Sequence, residues 1–169
     1  DGYWRDIGTI RSFYETNLAL TMPDTPFNFY DPKLPIYTDM RILPGSIVED
    51  SKLQDVMISD GSRILKSDIT HSIIGIRSQV SRGCTIKDSI MMGSDYYERD
   101  DEGLPIGIGA NCDIEGAILD KNVRIGNNVV IRPFPRGTDI DNEKWYVRDG
   151  IVVIPKDMEI AAGTKIMPE

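Results

Sequence analysis

The stretch Ile118–Ile131, ILDKNVRIGNNVVI, carries an aliphatic residue at Leu119, Ile125 and Ile131, six apart, with Lys121 and Arg124 lodged between them. An amphipathic helix repeats its apolar face at about 3.6 residues and a two-faced strand at about 2, so this spacing matches neither element alone. It is the spacing of a repeat unit. Steps of five or six backward from Leu119 pick up Ile114 and Ile108 and, beyond a break, Met92, Ile86, Val80, Ile74, Ile69, Ile64, Ile58, Leu53 and Ile47. Beyond a second break after Ile131 come Ile154, Ile160 and Ile166.

A second column sits two residues earlier in the units: Ser51, Val56, Ser62, Ser67, Ser72, Ser78, Cys84, Cys112, Ala117, Val123, Val129, Val152 and Thr164. Most of these are small. Residues two apart on a strand point to the same face, so each unit reads as a very short strand aiming one small and one large side chain inward. Gly75, Gly93, Gly109 and Gly126 directly follow large residues, where a corner demands unusual backbone angles or close approach. Two columns that keep phase together set the pattern apart from isoleucines scattered in a β-sandwich. The reading is an all-β chain folded as a parallel β-helix, in which three units make one triangular coil of about eighteen residues. Its left hand is taken from resemblance to known hexapeptide β-helices, since the usual crossover preference is right-handed.

Residues 47–169 are therefore expected to form the β-helix domain. Residues 1–22 differ in kind: in GTIRSFYETNLAL, Thr9 is a candidate N-cap, and Ile10, Phe13, Tyr14, Asn17 and Leu18 recur at helical spacing. Residues 23–46 form a linker whose prolines, Pro23, Pro26, Pro32, Pro35 and Pro44, favour an extended path. Phe27, Phe29, Tyr30, Ile36 and Tyr37 are too apolar to be left in water, so the linker is expected to be ordered. Two insertions, Ser94–Pro105 and Arg132–Gly150, leave the repeat; loops of that length on a repetitive scaffold are usually functional or touch partners.

The net charge of −8 and pI near 4.7 argue against nucleic acid, whose phosphates call for clustered Lys and Arg. No apolar run approaches the roughly 18 residues of a membrane span, and no secretory signal is present. The chain starts at Asp1 without a Met, which suggests a piece of something longer. Cys84 and Cys112 both fall in the small inward column, where a thiol behaves as a small hydrophobe, and no CxxC or Cys/His spacing supports a zinc site.

DGYWRDIGTIRSFYETNLALT, FYDPKLPIYTDMRILPGS, SIMMGSDYYE and ILDKNVRIG together resemble the C-terminal part of the ADP-glucose pyrophosphorylases, the glucose-1-phosphate adenylyltransferases. The resemblance covers nearly the whole chain. It implies a parent reaction in which ATP and glucose 1-phosphate give ADP-glucose and pyrophosphate with Mg²⁺, feeding glycogen or starch, in the bacterial cytoplasm or in a plant plastid. Most of that machinery belongs to an N-terminal nucleotide-binding domain with a glycine-rich phosphate loop, so the chain alone is expected to be inactive. Asp6, in WRDIGT, matches the family's second metal-binding carboxylate, which the resemblance makes catalytic and Mg²⁺-binding. It further implies a homo- or heterotetramer built through the β-helix, with a 3-phosphoglycerate-like activator and inorganic phosphate as its antagonist.

Lys121 and Lys156 lie two residues after Leu119 and Ile154 and match family lysines that bind phosphorylated effectors. If the Arg132 insertion bulges out without replacing a unit, these lysines stack at one corner of neighbouring coils, about 4.8 Å apart along the backbone, where a shared phosphate would relieve their repulsion. Arg124 is a third candidate in the same turn region. Arg41 matches a position associated with effector phosphate, although Asp39 would repel the same ligand or simply pair with Arg41. By the same register, Cys84 and Cys112 are expected to stack as free thiols.

Two other classes compete. A hexapeptide acyltransferase would use His71, the only His, as general base. A single His excludes a three-His zinc enzyme of this fold. A purely structural assembly module would use the flat faces and open ends of the β-helix to pair with other copies.

Overall fold

A computed structural model describes residues 3–37, 41–98 and 103–169; Asp39, the expected neighbour of Arg41, lies outside them. The repeat units form three parallel ladders. One stacks Val48, Ile64, Val80, Ile108, Ile125 and Ile160. The second stacks Leu53, Ile69, Ile86, Ile114, Ile131 and Ile166. The third stacks Ile58, Ile74, Met91, Leu119 and Ile154. From Ile64 onward every one of these side chains is buried in a single core. Each contributes about 1.5–3 kcal/mol by leaving water. Both insertions bulge from the coils without replacing a unit, since Met91 pairs with Leu119 and Leu119 with Ile154.

Two positions of the expected column are corrected. Ile47 pairs with Arg63 and is exposed, while Val48 pairs with Ile64 and holds the inward place. Met92 points outward and Met91 is the buried residue. In both runs neighbouring residues are apolar, so a slip of one residue leaves the hydrophobic pattern looking intact.

The small column explains how the corners satisfy their backbone. The Ser62 hydroxyl donates to the Gly75 carbonyl at 2.9 Å and accepts from the Ser78 N–H at 3.2 Å. Ser67 accepts from the Cys84 N–H and Ser72 from the Ser89 N–H, both at 3.1 Å. Each hydroxyl thus supplies an acceptor to the coil above, and without it the Cys84 and Ser89 N–H groups would go unpaired. Close approach, the other expected corner feature, holds at Gly126, where a Cβ would sit 2.5 Å from the Ala162 nitrogen. Of the expected corner glycines Gly93 takes a positive φ (90°), and among the described non-glycine residues positive φ falls largely on Asn and Asp, including Asn122 (60°) and Asp157 (62°), whose short polar side chains tolerate it. His71, at φ 43°, is also a corner residue.

Helix α1, Ile10–Ala19, starts where Thr9 predicts: the Thr9 hydroxyl accepts from the Ser12 N–H at 3.1 Å. Its apolar face, with Leu18 buried, lies on Ile73, Ile90, Met92, Ile118, Ile151 and Val153, the outward residues of one β-helix face. That face is apolar on both sides because the helix covers it. The second insertion folds as a hairpin, Ile140–Asp141 against Tyr146–Arg148, which continues antiparallel onto Ile151–Ile154 and buries Val147 in the main core. The linker departs from expectation. Phe27 and Phe29 meet edge to face at 4.8 Å, but Tyr30 and Tyr37 are 87% and 91% exposed. Its apolar side chains find little cover among the described residues, and no described helix is long and apolar enough to cross a membrane.

Candidate functional site

Lys121 and Lys156 occupy one corner on neighbouring coils. Lys121 follows the strand Ala117–Leu119 and Lys156 follows Ile151–Ile154, which pair in parallel register. The Asp157 N–H donates to the Lys121 carbonyl at 3.0 Å, and the Asn122 N–H to the Gly93 carbonyl at 3.1 Å. Gly93 stands two residues after Met91, as the lysines stand after Leu119 and Ile154, so three consecutive coils present the same unit position at this corner.

Between the two ammonium groups lies a carboxylate that sequence reasoning did not anticipate. Lys121 Nζ is 2.7 Å from Asp95 Oδ1, and Lys156 Nζ is 2.7 Å from Asp95 Oδ2. Asp95 belongs to the first insertion, just past Gly93. Its N–H donates to Asn122 Oδ1 at 2.8 Å, while Asn122 Nδ2 donates to Asp157 Oδ1 at 2.9 Å and reaches Asp95 Oδ2 at 3.3 Å. Hydrogen bonds from Lys121 and Lys156 hold the Asp95 carboxyl far below the usual carboxylate range, and Asp95 in turn raises Lys156. A sequence clue was available: the first insertion leaves the coil at the corner where the two lysines stack, and its second residue is acidic.

The remaining candidates are dispersed. Arg124 turns to the base of the first insertion, where it pairs with Glu98 and donates to the Leu104 carbonyl. Glu98 also accepts from the Ile106 N–H at 3.0 Å, and the Tyr97 hydroxyl donates to the Gly61 carbonyl at 2.8 Å, so the insertion is pinned on either side. Arg41 is exposed in the segment leading into the first strand and forms no hydrogen bond or ion pair with the lysine corner. Asp6 is exposed and accepts the Gly8 N–H at 2.9 Å. No group of three or more metal-ligating side chains occurs among the described residues, so Asp6 does not assemble a Mg²⁺ site with them.

His71 sits apart, its Nδ1 2.5 Å from Asp88 Oδ1, on the wall of a cavity of about 460 Å³ between α1 and the β-helix. Cys84 and Cys112 stack on adjacent coils as expected and are free, their Sγ atoms each 3.1 Å from a carbonyl of the next coil, Gly109 and Gly126.

Fold and site together define a hexapeptide β-helix with a paired-lysine corner gripping an anionic group. The family model described as the GLGC left-handed parallel beta-helix domain matches residues 41–165, and the chain belongs to that family. It is 45% identical to glucose-1-phosphate adenylyltransferase large subunit 1, chloroplastic/amyloplastic, of Zea mays, over 98% of this chain and 34% of that protein. It is 44% identical to the small subunit, chloroplastic/amyloplastic, of Triticum aestivum, over 98% of this chain and 37% of that protein. The chain thus spans about a third of the length of these relatives.

Proposed function

We propose that this chain is the allosteric and oligomerisation part of a glucose-1-phosphate adenylyltransferase, and that Lys121 and Lys156 form its effector site. The observation that carries the effector reading is the convergence of both Nζ atoms on the two oxygens of one carboxylate. A phosphate presents a similar pair of oxygens with more charge, and charge-assisted contacts to it are roughly twice as strong as neutral hydrogen bonds. A 3-phosphoglycerate-like activator and inorganic phosphate would compete for this one position. Arg124 instead holds the first insertion, through Glu98 and the Leu104 carbonyl.

In the parent enzyme, α1 and the Pro-rich linker join the catalytic domain to the β-helix, and Asp6 brings one carboxylate to a Mg²⁺ site whose other ligands lie outside this chain. Mg²⁺ supplies charge neutralisation of the substrate phosphates when bound. Similarity to both a large and a small subunit supports assembly with other subunits, and the relatives' names support a plastid. The acyltransferase reading of His71 gives way to the family assignment.

The test uses the full-length protein that carries this chain, assayed with ATP, glucose 1-phosphate and Mg²⁺. Lys121→Ala and Lys156→Ala, singly and together, should each raise the half-saturating concentration of 3-phosphoglycerate about tenfold or more, roughly 1.4 kcal/mol. Values within about twofold of wild type in all three, a shift under ~0.4 kcal/mol, would remove these lysines from the effector site.

A further inference from the structure

We infer that Asp95 is a built-in competitor that sets the affinity an anion must exceed to occupy the lysine corner, a threshold that dianionic phosphate passes and a monocarboxylate does not, an inference that rests on the effector-site reading above. Asp95 fills the ligand position, one oxygen on each ammonium at 2.7 Å, with the Asn122 amide 3.3 Å from one of them. It is tethered beside that position through its own N–H to Asn122 Oδ1 at 2.8 Å. A group tethered by a short segment acts at an effective concentration in the millimolar range or higher, so a free ligand must be bound better than the resident carboxylate to replace it.

Charge decides what meets that requirement. Asp120 and Asp157 lie on the same turns as Lys121 and Lys156, and both act on Lys156. With Asp95 in place the corner holds two cations against three carboxylates, so an incoming anion is repelled until Asp95 leaves. A monocarboxylate then gains nothing, because it replaces one singly charged two-oxygen group with another and loses the tether. A phosphate monoester carries about −1.5 to −2 at pH 7 and three acceptor oxygens, so it alone makes the exchange favourable. The exchange is local. The Asp95 side chain is 35% exposed and free to swing into solvent, while Tyr97 on Gly61 and Glu98 on Arg124 keep the following part of the insertion in place.

The experiment measures equilibrium binding of orthophosphate and of acetate to the full-length protein, as wild type, Asp95→Asn, Asp95→Ser, Lys121→Ala/Lys156→Ala, and Asp95→Asn combined with Lys121→Ala. Both Asp95 variants should bind orthophosphate and acetate each about tenfold tighter than wild type, because a resident competitor weakens every ligand by one factor; Lys121→Ala should abolish the gain. Orthophosphate binding by both Asp95 variants that is unchanged or weaker, with loss in the double-lysine variant, would overturn the competitor role while leaving the lysine site standing. Wild-type orthophosphate binding in the double-lysine variant would overturn the lysine site and the inference with it.

Discussion

Arg11 and Asp149, 138 residues apart in sequence, form an ion pair that joins α1 to the second insertion. The Arg11 guanidinium donates to the Asp149 carboxylate and also to its backbone carbonyl, while Asp149 accepts the Gly137 N–H at 2.6 Å. Asp149 lies two residues before Ile151, which opens the strand that ends beside Lys156. The helix is therefore fastened to the strand that carries half of the lysine corner.

Arg11→Ala should loosen that fastening without unfolding the β-helix. The pair is partly exposed and screened by water, so its loss weakens the helix's hold only modestly. Hydrogen exchange of α1 amides should quicken about fivefold, with core amides of Ile118–Leu119 unchanged. Equal protection of α1 in wild type and variant would show that Leu18 and its apolar neighbours hold the helix alone.

Leu119→Ala should destabilise the β-helix by about 2–5 kcal/mol, because Leu119 is sealed between Met91 and Ile154 in the third ladder. Ile47→Ala, at an exposed position that faces away from the core, should cost under about 0.5 kcal/mol. Denaturant titration of the two variants checks the inward phase directly. Equal losses would mean that the first coil is covered as fully as the fourth.

Cys84 and Cys112 should both alkylate after denaturation without reductant and resist alkylation in the native protein. Their thiols stack but point along the same coil axis, each toward the carbonyl of the next coil, a poor approach for a disulfide. The neighbouring Cys84 thiol, together with burial, pushes the Cys112 thiol up and away from the reactive thiolate. A disulfide-linked species in the denatured, unreduced protein would contradict this.

Stability should be lost on the acid side. Asp95 is held below its ordinary value by Lys121 and Lys156, and Asp149 by the Gly137 N–H and Arg11. A carboxylate depressed in the folded state contributes stability that is present above its unfolded pKa, about 3.9, and lost as pH falls through the lower folded value. The thermal midpoint should hold between about pH 7 and 5 and fall below about pH 4. Asp95→Asn with Asp149→Asn should shallow that fall, and an unaltered acid limb in the double variant would assign the loss to other carboxylates.

What the sequence determined by itself is the repeat and its arithmetic. Three units close a coil, so the positions of Leu119 and Ile154, and of Cys84 and Cys112, could be counted across both insertions, because a bulge that leaves the unit count unchanged leaves the register unchanged. The lysine corner follows from the same count. Met91 did not, because a strand covered on both faces by apolar partners has no alternation from which to read its phase. Val48 did not either, because its exposed neighbour Ile47 is equally apolar. That the outer face of Ile118, Ile151 and Val153 needs α1 is a property of packing, which no local period encodes. Asp95 was hidden for a related reason. An insertion has no repeat to place it, and a carboxylate reaches two ammonium groups on other coils only once the chain has turned at Gly93 and been tied to Asn122. Tertiary structure alone decided that the anion between the lysines belongs to the protein, since opposite charges far apart in sequence find each other only after the coils have stacked.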